Sequence, residues 1–491
     1  MTSEEPASSG IEESEIYQAP ELDAFELDQF AKLIAQESHT IDGQRAMMEL
    51  IHEMVNERRQ RREGHIRQRL TASGTSVDEL APLLRKEMSR MVIYTDNKVP
   101  DGRHNVIVEL GGSLLSHEQP GRDEIRALET TVAVIAHADT VIPTTDDQLE
   151  LREDPNKPDL LTGRGVWDMK QAVLNNLWYI EHIDPPPGMR VYIIFTFDEE
   201  ETSLGAKTLV KSWRRWPSVD VVYSHEIGPN TAEQDPEGDN NRHTLHPGRR
   251  GRAKYEFNAS LPTERLDHGA SEIGQVGKAV ADMVHMLMKQ YPMKRKSGDI
   301  LQKRTKILGA ETLELPNGSW LQTQPGYGVS DKGSAQFNIA LVPPSNRLEL
   351  EQLLRDQVAA LAKKEGWDSL GIDWDLFIRK DVTSYDGYEL EGGKDHPLTS
   401  IVASTIERVS GIAPGIMGAT SVADECIYAG NILDDKEKIA EKPYAGVISH
   451  PPRGGNAHGD AEWVSKESIR STRSVGLHLL EHPDGFQQWI S

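Results

Sequence analysis

Three apolar segments of the sequence each end in side chains that commonly bind metals. "TTVAVIAHAD" ends with His137 and Asp139, "VYIIFTFDEE" with Glu199 and Glu200, and "VDVVYSHE" with Glu226. Histidine and carboxylate ligands without cysteine suit Zn²⁺, Mn²⁺ or Co²⁺. A carboxylate that is not itself a ligand can take a proton from an attacking water. These residue types therefore indicate a hydrolytic metal site.

A glycine-rich turn supplies one more carboxylate between the first two segments. The turn reads "GRGVWDMK" and carries Asp168 immediately before a helical pattern. Two cations about 3.5–4 Å apart can share one carboxylate and activate a water between them. A single carboxylate at a strand end is usually a cap or a solvated loop residue, but several converging strand ends indicate a site.

The elements that would position these residues alternate between strands and helices from about residue 100. "HNVIVEL", "TVAVIAH", "VYIIFTF" and "VDVVYS" are predicted strands, and "MKQAVLNNLWYIEHI" and "LGAKTLVKSWRRW" are predicted helices. Continuous apolar strands are typical of a sheet covered on both faces, and the alternation predicts a largely parallel α/β sheet. Ligands of such sheets bind at the carboxyl ends of the strands. The predicted ligands would therefore meet at one edge.

The pattern changes within residues 247–386, where the order becomes strand, helix, strands, helix, strand. This order is typical of a small ferredoxin-like α+β domain. The sequence therefore predicts an inserted domain of residues 247–386 within a discontinuous catalytic domain of residues 1–246 and 387–491. Residues 1–20 are rich in Ser, Glu and Pro and are predicted to be disordered.

The composition limits the classes of partner and the cellular compartment that are expected for this protein. The net charge is −24, which argues against nucleic acid or an anionic membrane as a partner. Cys426 is the only cysteine, so no intrachain disulfide can form, and a reducing, cytoplasmic location is expected. The sequence has no run of 18 apolar residues that would predict a membrane span. The basic segment "NERRQRREGHIRQRL" is either an anion-binding arm or a solvated helix face.

The order of the motifs resembles a known family. "HADTV", "GRGVWDMK", "DEEETSLG", "VDVVYSHEIGP" and "GGNAHGDAEWV" follow one another as in the co-catalytic zinc metallopeptidase family of carboxypeptidase G, acetylornithine deacetylase and succinyl-diaminopimelate desuccinylase. The resemblance covers roughly residues 100 to 480. It implies a mostly parallel-sheet, phosphorylase/hydrolase-like catalytic domain with an inserted ferredoxin-like lid. In this family the lid often carries the dimer contact, so the resemblance also implies a homodimer.

The resemblance assigns the metal ligands residue by residue. It implies that His137 and Glu226 bind one divalent ion, that Glu200 and His458 bind a second, and that Asp168 bridges both. The expected cofactor is two divalent metal ions, with zinc favoured and Mn²⁺ or Co²⁺ as alternatives.

The resemblance also implies catalytic roles. Glu199 would be the general base, and Asp139 would orient the His137 ring, a common arrangement for ligand histidines. His268 is the candidate substrate contact of the lid, although "PTERLDHGAS" lacks the glycine spacing that is usual there. Asp424 in "GATSVADE" is displaced from the usual aspartate position of the family.

The predicted function is a metal-dependent hydrolysis of an amide bond near a free carboxylate, as in a carboxypeptidase or dipeptidase of small peptides. An N-acyl-amino-acid deacylase would use the same residues, and a non-catalytic metal-binding homologue is a third interpretation. The segment Arg249–Arg252 of "GRRGR" is either a set of cations for a substrate carboxylate or a solvated turn.

Overall fold

The structure is a computed structural model that covers most of the chain. It describes residues 18–96, 99–111, 130–228, 243–261, 270–290, 311–314, 320–325, 332–341, 343, 347–379, 384–419, 421–430, 446–482, 484–486 and 488. Within these ranges, no helix has the length and apolar character needed to cross a membrane.

The strands of the described residues, in chain order, are β1 (Met91–Asp96), β2 (Asn105–Gly111), β3 (Thr130–His137), β4 (Arg152–Asp154), β5 (Lys157–Thr162), β6 (Met189–Thr196), β7 (Val221–Ser224), β8 (Thr244–Leu245), β9 (Gly248–Arg249), β10 (Gly251–Ser260), β11 (Glu311–Glu314), β12 (Trp320–Pro325), β13 (Lys332–Leu341), β14 (Asp373–Ile378), β15 (Tyr388–Glu389), β16 (Gly415–Ile416), β17 (Gly446–Ser449), β18 (Gly454–Gly455) and β19 (Trp463–Ser465).

The α-helices of the same residues are α1 (Ala24–Ala35), α2 (Ile41–Ala72), α3 (Val77–Met88), α4 (Lys170–His182), α5 (Leu204–Ser212), α6 (Ala270–Gln290), α7 (Arg347–Glu365), α8 (Trp367–Leu370), α9 (Pro397–Ser410), α10 (Glu425–Tyr428) and α11 (Lys466–Glu481).

Among the described residues, the central sheet has six strands in the order β1-β2-β6-β3-β7-β17. β3 is parallel to β6 and β7, and β7 is parallel to β17, while β1 and β2 are antiparallel to their neighbours. Every residue of β2, β3, β6 and β7 is buried, as the continuous apolar runs predicted. The mostly parallel α/β fold is therefore confirmed, and the carboxyl ends of β3, β6 and β7 lie at one edge.

The basic segment of α2 is anchored to the protein rather than free. Arg58 is buried and its Nη1 lies 2.8 Å from Glu181 Oε2 on α4, while its Nε donates to Gln29 Oε1 at 2.9 Å. Arg62 is also buried, and its Nη1 donates to the carbonyl of Ile183 at 2.5 Å. The prediction of a solvated face is therefore wrong for these two arginines, although it holds for the exposed Arg59, Arg67 and Arg69.

In the described part of residues 247–386, a second sheet has five strands in the order β11-β12-β13-β10-β14, and its strands pair antiparallel. Along β10 buried and half-buried residues alternate strictly, because one face of the sheet packs on α6 and α7. The buried apolar side chains of these elements form a cluster separate from that of the central sheet. That residues 247–386 form an independent lid or dimerisation domain stays a prediction.

The N-terminal segment enters the fold earlier than the sequence suggested. Residues 1–17 lie outside the described residues, but Ala19 is buried and its N–H donates to Ser474 Oγ on α11 at 2.8 Å. The predicted disorder of residues 1–20 therefore does not extend to Ala19.

Candidate active site

The five predicted ligands lie together as two groups that share Asp168. His137 Nε2 is 3.3 Å from Asp168 Oδ1 and 3.5 Å from Glu226 Oε2. His458 Nε2 is 3.0 Å from Asp168 Oδ2 and 3.1 Å from Glu200 Oε1. Within each group the ligand atoms lie within 4.8 Å of one another. Each oxygen of Asp168 therefore faces a different group, which is the arrangement of a bridging carboxylate.

The fold explains why residues so far apart in sequence meet here. His137 is the last residue of β3, and Glu226 follows the end of the parallel strand β7 by two residues. Glu200 lies in the turn after β6, which is parallel to β3 on its other side. Asp168 lies just before α4, and that helix packs on β3 and β6. The site therefore lies at the carboxyl edge of the parallel strands.

The donor set fits two divalent cations. Asp168, Glu200 and Glu226 are three buried carboxylates in contact with two imidazoles. Burial and the nearby Asp168 raise the pKa of Glu226 well above its usual range. Burial opposes a charge on His458, yet Glu200 and Asp168 raise its pKa to about 11. Carboxylates held this close need positive charge nearby, and two divalent ions of the hard or borderline class would supply it.

Asp139 connects His137, one of the predicted ligands, to the turn that carries the two glutamates. Its Oδ1 accepts the Glu199 N–H at 3.2 Å and its Oδ2 accepts the Glu200 N–H at 3.1 Å. His137 Nδ1 lies 3.1 Å from the Asp139 carbonyl and 3.5 Å from Asp139 Oδ1. This placement fits the predicted orienting role, because Asp139 fixes the imidazole from the side away from Asp168.

Glu199 is buried beside the two groups but belongs to neither. Burial raises its pKa well above the usual value, His137 opposes the rise, and Asp424 adds to it. A carboxyl group in such surroundings readily holds a proton. Asp424, displaced in sequence from the usual position, is thus near Glu199 in the structure.

The turn after β6 has a second support that sequence reasoning missed. Arg103, which precedes β2, is buried and its Nη1 lies 2.7 Å from Asp198 Oδ1. Asp198 adopts a left-handed backbone conformation with φ 68°. The ion pair holds the first residue of the turn, and Asp139 holds the next two.

Glu462 is the other residue that sequence reasoning missed. Its Oε1 accepts the N–H groups of Trp167 and Asp168, each at 2.9 Å. Its Oε2 accepts the Gly165 N–H at 3.1 Å and Arg164 Nη1 at 3.2 Å. Burial and the nearby Asp168 raise the pKa of Glu462 to about 7, and the backbone donors oppose the rise. The only sequence feature that could have pointed to this residue is its position, four residues after the predicted ligand His458.

The loop that carries His458 approaches the same turn closely. A Cβ atom on Gly454 would lie 2.3 Å from the Trp167 ring, so no side chain fits at this position. Trp167 Nε1 donates to the Pro452 carbonyl at 2.9 Å, which ties the loop to the turn. His458 itself has a left-handed backbone conformation with φ 63°. The two segments that face each other across the site are therefore held as one unit.

Arg249, one of the arginines for which the sequence predicted either a substrate contact or a solvated turn, lies inside the protein. It is buried, its Nε lies 3.1 Å from Glu425 Oε2, and its Nη1 donates to the Ile227 carbonyl at 2.8 Å. The solvated-turn interpretation is therefore wrong for Arg249, because this guanidinium neutralises a buried glutamate. His268 lies outside the described residues.

Fold and site together define a hydrolase of the two-metal class. Residues 133–482 match the model of peptidase family M20/M25/M40, and the chain belongs to this family. It is therefore a metallohydrolase that acts on amide bonds. No match was found among the curated proteins.

Solved structures show the same fold at low sequence identity. An M20 metallo-carboxypeptidase from Sulfolobus solfataricus matches with a TM-score of 0.54 and 13% identity, covering 94% of this chain and 99% of that one. Human carnosine dipeptidase 1 matches with a TM-score of 0.54 and 12% identity, over 92% and 95% of the two chains. A dinuclear metal-binding M20 peptidase from Bacillus subtilis has a TM-score of 0.52 and 11% identity, over 93% and 98%. The likeness at these identities concerns the fold.

Proposed function

We propose that this protein is a dinuclear metal-dependent peptidase that cleaves an amide bond near a free carboxylate in a small peptide. The observation that carries the proposal is Asp168, whose two oxygens face two separate ligand groups. His137, Glu226 and Asp168 would hold one ion, and Glu200, His458 and Asp168 the other. The structural relatives that include a carboxypeptidase and a dipeptidase support the substrate class.

When bound, the two ions supply Lewis acidity for an attacking water and for the oxyanion that forms on the substrate carbonyl. The protein itself supplies the proton transfers. Glu199 takes a proton from the attacking water and later returns it to the leaving amine. Its burial favours the protonated form between these two steps. Asp139 keeps the Glu199 backbone in place through the N–H that it accepts.

The alternative is an N-acyl-amino-acid deacylase of the acetylornithine deacetylase type. Every residue of the proposed site serves that reaction equally, because both reactions hydrolyse an amide. A panel of dipeptides and N-acyl amino acids, assayed with Zn²⁺, Mn²⁺ and Co²⁺, distinguishes the two. A non-catalytic homologue would hydrolyse neither class with any of the three metals.

Three finer features belong to the same proposal. Zinc is the proposed metal because the ligands are imidazole and carboxylate, and elemental analysis of protein purified without chelator tests it. A homodimer formed through residues 247–386 is proposed from the family resemblance, and light scattering tests it. A cytoplasmic location is proposed from the single cysteine, Cys426, which is buried.

The run "DEEE" offers a test with a control inside the same turn. Glu199→Gln keeps the size of the side chain but removes proton acceptance, so the variant binds two ions and loses activity by about 10²–10⁴-fold or more. Glu200→Gln weakens one ion, and excess metal partly restores the rate. The neighbouring Glu201 is exposed, so Glu201→Gln is the matched control and keeps both activity and metal.

Rate assays and metal analysis are run on the same preparations. If Glu199→Gln loses an ion while Glu200→Gln keeps both and is inactive, the two roles are exchanged. If both variants remain as active as Glu201→Gln, this turn does not carry the chemistry and the proposed mechanism fails.

A further inference from the structure

A third group of ligand-type side chains lies at the carboxyl end of α11. His478, in the last turn of the helix, and His482, its C-terminal cap, are one helical turn apart, and Asp484 follows. The ligand atoms of these three residues lie within 4.8 Å of one another. α11 has 16 residues and therefore spans about 24 Å, so this group is remote from Glu462 and His458, which precede the helix.

His478 has a buried ring nitrogen that lacks a hydrogen-bond partner within the described residues. Its Nε2 is fully buried and makes no hydrogen bond of normal geometry within the described part of the chain. Yet the same atom lies only 3.2 Å from Asp484 Oδ1. A nitrogen and a carboxylate oxygen that are close but not aligned with each other can both point toward a third position. A buried imidazole nitrogen without a hydrogen bond is costly unless another group engages it.

The distances suit a divalent cation. A tetrahedral Zn²⁺ with bonds of about 2.0–2.1 Å sets its ligand atoms about 3.3–3.4 Å apart. The separation of 3.2 Å between His478 Nε2 and Asp484 Oδ1 is close to this value. The His482 ring stacks on that of His478 with centroids 4.1 Å apart, which keeps a third ligand-type nitrogen within 4.8 Å of the other two ligand atoms.

The surrounding backbone fixes these residues before any ion arrives. After α11 the chain folds back, since the Gly485 N–H donates to the His482 carbonyl at 2.9 Å and the Phe486 N–H to the Leu479 carbonyl at 3.0 Å. Phe486 is fully buried, which anchors the turn. These main-chain bonds on either side of Asp484 keep it next to His478.

Arg408 on α9 occupies the other oxygen of the carboxylate. Its Nη1 lies 2.7 Å from Asp484 Oδ2, which leaves Oδ1 toward His478. Ligand carboxylates in metal sites are commonly hydrogen-bonded in this way through the oxygen that does not face the metal. The carboxyl end of a helix also favours positive charge.

A second group with two histidines differs from the first because its carboxylate oxygens already have partners. His65, Glu181 and His182 satisfy the same distance criterion. There, however, Glu181 accepts Arg58 Nη1 at 2.8 Å and Arg61 Nε at 3.0 Å, so both of its oxygens are already bound to guanidinium groups. This group has no carboxylate oxygen left for a cation.

We propose that His478, His482 and Asp484 form an additional binding site for a divalent cation such as Zn²⁺, separate from the candidate active site. The ion would hold the residues at the carboxyl end of α11 together, and Asp484, which also binds Arg408, would connect them to α9. The proposed role of the ion is structural, since none of its three ligands belongs to the candidate active site.

Zinc itself is the probe. Full-length protein carrying His137→Ala and His458→Ala, which removes ligands of both active-site groups, is saturated with Zn²⁺, dialysed and analysed for metal. We expect this background to retain one ion per chain and to lose it on adding His482→Ala or, separately, Asp484→Asn. Adding His65→Ala and His182→Ala instead leaves the ion in place. Circular dichroism confirms that each variant is folded.

Two outcomes would overturn the proposal. The background protein could retain no zinc after dialysis, or it could lose the same amount with the His65 and His182 substitutions as with His482→Ala. In the otherwise unaltered enzyme, His482→Ala is expected to lower the zinc content by one ion per chain while the hydrolytic rate at saturating metal is unchanged. A fall in rate without a fall in zinc content also contradicts the proposal.

Discussion

Replacing Glu462 by glutamine isolates the support of the turn that carries Asp168. The carboxylate accepts four donors, two on each oxygen, and its side chain is 1% exposed. Glutamine keeps the shape but turns one of the two oxygens into an NH₂ group that cannot accept. Whichever oxygen is replaced, two of the four hydrogen bonds are lost and two donors face another donor.

The size of the effect follows from these contacts. Hydrogen bonds to a charged group contribute about 1.5–3 kcal/mol each, so losing two lowers the free energy of unfolding by about 3–6 kcal/mol. Since the Asp168 N–H is among the donors, the proposed bridging carboxylate also loses a contact that fixes its position. Substitution of groups that orient metal ligands typically lowers metal affinity by about 10–100-fold. We therefore expect Glu462→Gln to weaken both stability and metal binding.

Urea denaturation and metal titration at pH 8, above the pKa of about 7 of Glu462, measure the two effects. Glu467→Gln is the matched control, because Glu467 pairs with Arg470 at the surface of the same region and its side chain is 58% exposed. That control is expected to shift stability by no more than about 0.5 kcal/mol. If Glu462→Gln has the same midpoint of urea unfolding and the same metal affinity as the unsubstituted protein, the position of this turn does not depend on the Glu462 carboxylate.

Two further predictions concern stability away from the site. Burial lowers the pKa of His243 to about 4, so between pH 4 and about pH 6.5 the unfolded chain binds a proton at this residue that the folded protein does not bind. The free energy of unfolding therefore falls as the pH is lowered from 6.5 to 4, and His243→Asn should reduce this dependence by about 1.4 kcal/mol per pH unit. Denaturation curves measured across this pH range test the prediction, and an equal pH dependence in the parent and the variant would refute it. A Cβ on Gly476 would lie 2.0 Å from Tyr179 Oη, while one on Gly277 meets nothing within 4 Å. Thermal denaturation should therefore show a lower melting temperature for Gly476→Ala, whereas Gly277→Ala should raise the free energy of unfolding by up to about 1 kcal/mol. Equal shifts of the two variants would contradict the packing argument.

The buried strands could be predicted from the sequence because they depend on local patterns, and the motifs that resemble the family picked out side chains that lie together in the structure. An apolar run that ends in His137 indicates a buried strand and a polar end, and parallel strands bring such ends together. The supports of the site could not be predicted in this way. Glu462 accepts backbone donors that lie 294 to 297 residues earlier in the chain. Backbone N–H groups carry no sequence signal, so these contacts appear only in the folded chain.

Buried charges were the other feature beyond reach of the sequence. Arg249 and Arg58 lie in segments that read as basic and solvated, yet each pairs with a buried glutamate far away in sequence. Periodicity separates apolar from polar residues, but it does not show which polar residue has a partner inside the protein. The pairing of these arginines therefore had to come from the structure.

The order of the ligands along the chain has a consequence for biosynthesis. His137, Asp168, Glu200 and Glu226 all precede the second sheet, whereas His458 follows it, as does β17, which completes the central sheet beside β7. In the proposed assignment, all protein ligands of the first ion have been synthesised once Glu226 is in place, whereas the second ion lacks His458 until more than two hundred further residues have been added. The proposed assignment therefore implies that the nascent chain offers a full ligand set for the first ion well before it offers one for the second.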